Sequence, residues 1–393
     1  MKQDISFLIG LKNNLDYTRV FYENVRKLYP GVEIVFVSFG STDGTHQWLD
    51  SLNDPFLKYY YSEESKTLSD TYNKATEIAT KKFVCFLHND MVLGRHFLEN
   101  LSEDLSENNV NFYKVAEPPI FTGDFRDWKV TQDFGDDIHL FDFEKFFNFE
   151  NEYISTVENA TAPTAHSSFF LCVERAVLLK IGGLDNLFNP MFCEDDDLII
   201  RLKFLGLETI QLNRALVYHF VSKTSRFSKE YENKTKAIEE KSQRNYIRKW
   251  GFKNGSTHLA TYDIGIILNN GSVEKLSELE PFAKAIYTDF PFEDYINKEQ
   301  AHTKYDLREK IKPISKLKNH DVMVYVNGKA LNAKTLNSIS NISVIIEENK
   351  KDYLNPNIFH KFYLKTIKPY RPLIFFNHPK RIEKSLIHKE LEI

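Results

Sequence analysis

Two polar segments of the 393-residue sequence contain residue types that could act on a phosphorylated substrate. The first is His88-Asn89-Asp90, which directly follows the apolar run at 83–87. A carboxylate at the end of a buried strand, beside other polar groups, can bind a hard divalent cation that also holds a diphosphate. A simpler interpretation is that Asp90 caps the next helix, because Asp is common at helix N-termini.

The second segment is Glu194-Asp195-Asp196-Asp197, which precedes a helical apolar pattern at 198–205. The helix dipole favours one or two acidic residues at this position, but four in succession repel one another and exceed what a cap requires. If one of them faces a pocket, burial and like charges would raise its pKa towards the working range of a general base. The segment is therefore a candidate catalytic site.

A turn at 38–45, with the sequence SFGSTDGT, is a weaker candidate. Its Gly, Ser and Thr residues allow a tight turn into a helix N-terminus, which suits a nucleotide or a phosphate. Capped turns of this composition are common, so the turn alone does not indicate a ligand.

The elements that position these segments form an alternating pattern over the first 250 residues. Predicted strands at 5–9, 32–37 and 83–87 are continuously apolar, and predicted helices at 15–29 and 68–79 lie between them. This pattern predicts an α/β fold with a mostly parallel sheet and helices on both faces. Ligands of such sheets bind beyond the carboxyl ends of the strands, where the polar segments lie.

Residues 101–165 interrupt the pattern with an aromatic-rich stretch. Between residues 112 and 149, 11 of 38 residues are aromatic, about twice the 14% of the whole chain. The stretch could be a satellite core beneath long loops. It could also be an insertion that binds a substrate, such as the acceptor of a transferred group, because aromatic rings stack on sugars and bases. Trp128 in this stretch, His166 just after it and Glu194 are the acceptor-side candidates.

A second α/β pattern follows residue 254 and predicts a separate C-terminal domain at 255–393. Its predicted strands are 263–268, 322–326 and 342–346, and its predicted helices are 273–280 and 299–310. From residue 311 onwards there are 15 Lys and Arg residues against 7 Asp and Glu, a balance of +8 within a chain of net charge −4. The excess could be an ordinary solvated surface. It could also contact a polyanion or a membrane surface.

Composition excludes two classes of protein. No apolar run approaches the ~18 residues that a membrane-spanning helix needs, and residues 1–10 lack the layout of a signal peptide. The three Cys residues form no C-x-x-C pair, which indicates free thiols in a reducing compartment rather than a disulfide scaffold. We therefore expect a soluble cytoplasmic protein.

The order and spacing of seven motifs resemble those of the family 2 glycosyltransferases, which have the GT-A fold. The motifs are ISFLIGLKN at 5–13, VSFGSTDGT at 37–45, YNKA at 72–75, FLHNDMVL at 86–93, GGLD at 182–185 with EDDD at 194–197 and Arg201, VYH at 217–219, and KWG at 249–251. The resemblance covers about residues 4–252. It implies a GT-A nucleotide-diphospho-sugar transferase-like domain at 1–254.

The resemblance implies a role for each matched residue. Asp90 would ligate Mn²⁺ or Mg²⁺ bridging the two phosphates of a nucleotide-sugar donor, and His219 would complete that metal site. Asp195 would deprotonate the acceptor hydroxyl, and the sugar would be transferred with inversion. The implied donor-binding positions are Gly10, Leu11, Ser38, Phe39, Asn73, His88, Asn89 and Asp90.

Three positions depart from the family pattern. Ser38-Phe39 stands where the family has an Asp pair, so a carboxylate that contacts the nucleotide base is missing and Phe39 could stack on the base instead. His88 replaces the first acid of the D-x-D motif, which leaves metal binding to Asp90, His219 and the diphosphate. Lys12 lies in the segment that is usually Pro-Thr-Tyr and could sit near the donor phosphates.

These observations predict an inverting, metal-dependent glycosyltransferase whose acceptor is a glycan or glycoconjugate. An alternative acceptor is a hydroxymethylated base in DNA, with the basic C-terminal residues contacting phosphates. A different class is an inactive GT-A-fold binding protein, which the departures at Ser38-Phe39 and His88 suggest. Residues 255–393 could also be a dimerisation module that has no part in acceptor binding.

Overall fold

The structure is a computed structural model that describes residues 4–103, 105–120, 126–165, 168–221, 231, 233–256, 259–348, 373–376 and 379–389. Its contacts divide the chain into two compact units, Met1–Lys236 with His388–Ile393 and Ala237–Ile387. The division falls 18 residues before the boundary that the sequence suggested, at 236 instead of 254. The cause is the helix Thr235–Trp250, whose Arg248 forms an ion pair with Glu280 of the second unit, with Nη2 and Oε2 2.7 Å apart.

The first unit alternates strands and helices, as the sequence predicted. Its helices are α1 Leu15–Leu28, α2 Thr45–Ser51, α3 Leu68–Ile78, α4 Phe97–Glu103, α5 Phe143–Thr156, α6 Arg175–Ile181 and α7 Glu194–Phe204. Its strands are β1 Ile5–Leu11, β2 Glu33–Phe39, β3 Leu57–Ser62, β4 Phe83–His88, β5 Met91–Leu93, β6 Asn109–Glu117, β7 Lys129–Thr131, β8 Thr161–Pro163, β9 Leu171–Glu174 and β10 Glu208–His219.

These strands form one mixed sheet in the order β3-β2-β1-β4-β9-β6-β10-β5, with β7 paired to β6 and β8 paired to β10. Strands β3, β2, β1 and β4 are parallel, whereas β9 is antiparallel to both of its neighbours. The predicted α/β architecture with a large central sheet is confirmed. The register places Gly10 between Val37 of β2 and His88 of β4, so the predicted ligand segments meet at one edge.

The core of the first unit lies against the central strands. Strand β2 is buried at every position, and β1 and β4 are buried at all positions but one. Parallel strands covered on both faces need apolar residues throughout, which explains their continuous hydrophobicity in the sequence. Phe7, Phe21 and Phe36 are fully buried there, and each contributes about 1.5–3 kcal/mol through the area it removes from water.

The aromatic-rich stretch forms a second hydrophobic cluster on the same sheet. Phe134, Phe141 and Phe146 pack on Tyr218 of β10, with ring centroids 5.5, 4.9 and 6.0 Å from the tyrosine ring. The three phenylalanines are at most 9% exposed. These rings therefore serve packing, in line with the satellite-core interpretation of this stretch.

The second unit is a smaller α/β unit. Its helices are α8 Thr235–Trp250, α9 Val273–Leu279, α10 Glu293–Glu299, α11 Leu307–Lys310, α12 Ala333–Ser340 and α13 Ile342–Glu348. Its strands are β11 Ile264–Asn269, β12 Ala285–Thr288, β13 Ile311–Pro313, β14 Val322–Asn327 and β15 Leu373–Phe376, in the sheet order β13-β12-β11-β14-β15. Strands β11 to β14 are parallel and β15 is antiparallel.

Two sequence predictions in this unit are wrong. The segment predicted as a strand at 342–346 lies in helix α13, where Ile342 and Ile346 are buried one helical turn apart. The helix predicted at 299–310 is broken, because the Gln300 side chain bonds the backbone of Tyr305 and Leu307 and Asp306 caps α11. Both segments show that short amphipathic runs do not determine their own element type.

A buried cluster of charges stabilises the second unit. Glu280 is fully buried and pairs with Arg248 and with Lys310, whose Nζ lies 2.7 Å from Glu280 Oε1. Burial by itself would raise the pKa of Glu280, but these two cations lower it strongly.

Within the described ranges, no helix of either unit has the length and hydropathy that a bilayer crossing requires.

Candidate active site

Two strand ends bring the predicted metal ligands together. His88 is the last residue of β4, Asp90 lies in the turn that follows, and His219 is the last residue of β10. Because β5 pairs antiparallel with β10, Met91 lies opposite His219 and the preceding Asp90 comes close to the imidazole ring. The order of strands thus joins residues that are 129 positions apart.

The three side chains form a compact group of possible ligands. One atom from each of His88, Asp90 and His219 lies within 4.8 Å of the other two. Asp90 Oδ1 is 3.4 Å from His219 Nε2 and 3.9 Å from His88 Nδ1. Asp90 and His219 are buried, and the His88 side chain is 26% exposed, so the group opens to solvent on the His88 side.

Two residues that the sequence did not single out support His219 from behind. Glu117 Oε1 lies 2.9 Å from His219 Nδ1, and Lys129 Nζ lies 2.9 Å from Glu117 Oε2. Burial would raise the pKa of Glu117, but its contacts with His219 and Lys129 lower it. Glu117 ends the apolar strand β6, so the same strand-end argument that selected Asp90 would have selected it.

The chemistry of this group fits a divalent cation. Burial lowers the pKa of His88 to about 4, which leaves its imidazole neutral and able to donate a lone pair at neutral pH. Burial would also lower the pKa of His219, but Asp90 and Glu117 raise it to about 9, so a cation that binds here would replace the proton on Nε2. His219 Nε2 is buried without a hydrogen bond in the described part of the chain, although it faces Asp90. Two imidazole nitrogens and one carboxylate suit Mn²⁺ better than Mg²⁺.

Gly183 and Asn73 shape the loop that precedes helix α7 and Asp195. Gly183 has φ +69°, and a Cβ at this residue would lie 2.2 Å from Asn73 Oδ1. Asn73 uses both ends of its amide on Leu184, accepting from Leu184 N at 2.7 Å and donating to Leu184 O at 2.9 Å. The sequence predicted Asn73 as a donor-binding residue, whereas the structure uses these atoms to hold the loop.

The acidic run divides into residues with different functions. Arg201 Nε donates to Asp197 at 2.8 Å, and the same guanidinium donates to Ile181 O at 3.1 Å and Gly183 O at 2.6 Å. Asp197 and Arg201 have fully buried side chains. Gly183, Asp197 and Arg201 of the sequence pattern therefore belong to one hydrogen-bonded network, which fixes the loop to α7.

Strained backbone precedes Asp195. Phe192 and Cys193 have φ +76° and +67°, and helix α7 begins at Glu194. A left-handed non-glycine residue costs on the order of 1–3 kcal/mol, and such strain concentrates at functional sites. Asp195 stays half-buried, and burial together with Asp196 raises its pKa to about 7.

Glu194 differs from Asp195 in its protonation. Glu194 is 6% exposed, and burial with the nearby Asp195 carboxylate raises its pKa well above the ordinary value. Asp197 is occupied by Arg201. Asp195 therefore best combines partial accessibility with a pKa suited to taking a proton near neutral pH.

A pocket of about 610 Å³ adjoins the strand ends of the first unit. It is lined by Gly10, Leu11, Lys12, Phe39, Lys66, Thr67, Leu68, Thr71, Pro190, Met191 and Tyr231. Three of the predicted donor-binding residues, Gly10, Leu11 and Phe39, thus share one pocket. A Cβ at Gly10 would lie 2.9 Å from Thr71 Cγ2, so a larger residue here would displace Thr71, which also lines the pocket.

Three other residues expected near the donor contact the protein itself. Lys12 Nζ donates to Phe39 O and Gly40 O of the turn at 3.1 and 3.2 Å and to Ser65 Oγ, after β3, at 2.9 Å, which uses all three of its protons. Ser38 is fully buried, with its Oγ 2.8 Å from Ser41 Oγ and 3.0 Å from His46 Nε2. Asn89 donates to Thr18 Oγ1 at 2.9 Å. These side chains hold the strand ends in place.

The predicted acceptor-side residues lie in different environments. Trp128 is 4% exposed, with the Arg126 guanidinium 4.2 Å above its ring and the Phe170 ring 5.3 Å away. Glu194 is buried, as described above. His166 lies outside the described residues. Arg126 is thus exposed at this position, whereas the ring of Trp128 beneath it is covered.

Comparisons with solved structures give several similar chains. S. aureus TarS 1–349 is similar with a TM-score of 0.40 and 18% identity over 55% of this chain and 60% of that chain. The mannosyltransferase PcManGT from Pyrobaculum calidifontis, in complex with GDP-Man and Mn²⁺, gives 0.39 and 16% over 56% of this chain and 58% of that one. The matched regions therefore span about three fifths of these two proteins. GalNAc-T7 with UDP, GalNAc and Mn²⁺ gives 0.43 and 12% over 63% of this chain and 47% of that chain.

Comparison by sequence gives one family. The description "Glycosyl transferase family 2" matches residues 6–176, from β1 into α6. No curated protein matches the sequence. The resemblance to the family 2 glycosyltransferases, which the seven motifs predicted, is confirmed by the family match. Residues 6–176, all of them in the first unit of this chain, therefore match the description of glycosyl transferase family 2.

Proposed function

We propose that the protein is an inverting, metal-dependent glycosyltransferase that moves a sugar from a nucleotide-diphosphate donor to a hydroxyl of a glycan or glycoconjugate. The observation that carries the proposal is the position of the His88, Asp90 and His219 group beside the pocket. Gly10 lines the pocket and is the direct sheet partner of His88. A nucleotide in the pocket could therefore extend its diphosphate towards the group of ligands.

The residues present could hold a cation through His88, Asp90 and His219. When bound there, Mn²⁺ would stabilise the negative charge that develops on the departing diphosphate. The protein supplies the fixed carboxylate and imidazoles that hold it. The family match over residues 6–176 supports the transfer of a glycosyl group.

In this proposal Asp195 acts on the acceptor. Its carboxylate takes the proton of the acceptor hydroxyl while that oxygen forms a bond to the anomeric carbon. The bond from the anomeric carbon to the diphosphate oxygen breaks with its electron pair, which leaves on the nucleoside diphosphate. A single displacement of this kind inverts the anomeric centre. The pKa of about 7 leaves a large fraction of Asp195 deprotonated near neutral pH.

Release of nucleoside diphosphate tests the proposal. The protein is incubated with Mn²⁺ and a panel of UDP-, GDP- and dTDP-sugars, and free diphosphate is measured without and with glycan acceptors. We expect release from at least one donor, abolished in Asp90→Ala. Asp294→Ala, which removes an exposed acid of the second unit, is the matched control and leaves the rate unchanged. Release from no donor would favour the inactive binding protein.

Other predictions from the sequence stay predictions. A DNA acceptor gains no favourable observation, and the part of the basic segment at 349–372 lies outside the described residues. Dimerisation through residues 255–393 and cytoplasmic localisation also stay predictions. Titration with labelled duplex DNA at low salt would test the DNA acceptor, and sizing of the purified chain would test dimerisation.

A further inference from the structure

Glu117 and Lys129 form a buried ion pair behind His219 that the proposed reaction does not use directly. Their side chains are only 5% and 1% exposed. We propose that Glu117, held by Lys129, is a positioning residue that orients His219 as a metal ligand and sets the affinity of the site for Mn²⁺. This inference rests on the metal site in the proposed function, and it assigns a role to two residues outside the motifs.

The contact between Glu117 and His219 selects one tautomer of the neutral imidazole that would bind a metal. A carboxylate accepts hydrogen bonds, so Glu117 Oε1, 2.9 Å from His219 Nδ1, places a proton on that nitrogen. The other nitrogen, Nε2, then points to Asp90 Oδ1 at 3.4 Å, on the side of the ligand group. A carboxylate behind a ligating histidine fixes the ring and raises its basicity as a ligand.

Lys129 holds the carboxylate in the orientation that this contact requires. Its Nζ lies 2.9 Å from Glu117 Oε2, while Oε1 faces the imidazole. Each oxygen of Glu117 thus has its own partner, which prevents rotation of the carboxylate away from His219. The lysine also compensates the charge of a carboxylate that would otherwise be buried alone.

The fold delivers both residues through strand pairing. Ala116 of β6 pairs with Tyr218 of β10, so the next residues along these parallel strands, Glu117 and His219, are neighbours. Lys129 begins β7 and pairs with Val115 of β6. Strand β7 belongs to the aromatic-rich stretch. That stretch therefore contributes a supporting residue to the metal site, besides the packing described above.

Metal affinity measures this role directly. Mn²⁺ is titrated into the full-length protein in the presence of UDP and, in parallel, GDP, with free Mn²⁺ followed by electron paramagnetic resonance. We expect Glu117→Gln to raise the dissociation constant for Mn²⁺ about 10- to 100-fold. Excess Mn²⁺ should restore nucleotide release in Glu117→Gln but not in Asp90→Ala, which a merely structural role of Glu117 would not produce.

Glu33→Gln is the matched control, because Glu33 is a carboxylate of the same sheet that is 5% exposed and bonded to Ser6 and Thr80. It should lower stability and leave Mn²⁺ affinity unchanged. If Glu117→Gln does not fold, Glu117→Asp keeps the charge beside Lys129, shortens the reach to His219 and should still weaken Mn²⁺ binding. An affinity within twofold of wild type in either folded variant overturns the inference. Absence of Mn²⁺ binding in the wild type overturns the proposed metal site as well.

Discussion

The amide of Asn73 makes two hydrogen bonds to the backbone of Leu184, which is 111 residues further along the chain. The side chain reaches Leu184 past Gly183, and a Cβ on that glycine would occupy the space of Asn73 Oδ1. Helix α3 is thereby fixed to the loop that leads into α7 and Asp195. The pair connects helix α3, whose Leu68 and Thr71 line the pocket, to the loop that carries the candidate base.

Loss of this bridge should loosen the loop. We expect Asn73→Ala to lower the free energy of unfolding by about 1–3 kcal/mol, because the Leu184 N–H and C=O both lose their partner. Urea denaturation followed by circular dichroism measures the change. Asn213→Ala, which removes one hydrogen bond to Asn159 O, is the control and should cost less than about 1 kcal/mol. Equal losses in the two variants would contradict the bridge.

The sequence predicted those parts of the site that lie at the carboxyl ends of the apolar strands. Strands β1, β2 and β4 are continuously apolar because both faces are covered, so their carboxyl ends could be located without a structure. Asp90 and Gly10 follow from that. The pairing of Asp90 with His219 came from the family resemblance, and the antiparallel register of β5 and β10 gives its physical reason.

Side-chain direction limited the rest of the prediction. Lys12 and Ser38 lie at strand ends, yet the polar atoms of both side chains bond protein groups, those of Lys12 in the turn and that of Ser38 on His46, although Lys12 also lines the pocket. A strand end can be read from apolar runs, but the choice between a pocket and a neighbouring loop depends on tertiary contacts. Lys129 was not predicted for the same reason, since only the register of the short strand β7 brings it to Glu117.

In the proposed reaction, Asp195 should give the rate a pH dependence with a definite sign. A general base acts when it is deprotonated, so the rate of transfer at low acceptor concentration should rise as the pH increases through about 7. Asp195→Asn should lose most activity at every pH. Asp196→Asn removes the like charge that helps to raise the pKa of Asp195, and its profile should shift to lower pH. A profile that is flat between pH 5 and 9 would contradict the assignment.

The same pKa shift affects stability in the opposite direction to activity. The pKa of Asp195 is 3.8 in an ordinary setting and about 7 in the folded protein, so the folded state holds a proton that the unfolded state releases. The contribution of Asp195 to stability should therefore fall as the pH rises from about 4 to 7. Asp195→Asn should melt at a higher temperature than wild type at pH 8, and the difference should shrink towards pH 4. Thermal melts at several pH values measure this.

His88 should determine which metal supports the reaction. Two imidazoles and one carboxylate favour Mn²⁺, whereas Mg²⁺ prefers oxygen ligands. We expect higher activity with Mn²⁺ than with Mg²⁺ at equal concentration, and a His88→Asp variant, which replaces an imidazole with a carboxylate, should lower this ratio. Donor turnover with each metal measures the ratio. His96→Asp changes a half-exposed histidine after β5 and serves as the control, for which the ratio should not change.

Glu280 should be the most sensitive charged residue of the second unit. Its removal leaves the buried Arg248 and Lys310 without the carboxylate they share, so Glu280→Gln should lower the free energy of unfolding of this unit by about 3–5 kcal/mol. Glu293→Gln breaks an ion pair with Arg308 in which both side chains are about 60% exposed, and it should cost less than about 1 kcal/mol. Urea denaturation of both variants in parallel measures the contrast.

The strongly lowered pKa of Glu280 predicts a pH dependence of stability. A carboxyl group whose pKa is lowered by folding stabilises the folded state at pH values above its ordinary pKa, and this contribution is lost as the pH falls. The stability gap between wild type and Glu280→Gln should therefore be full at pH 7 and narrow below about pH 4, and a gap that is constant over this range would contradict the ion-pair argument.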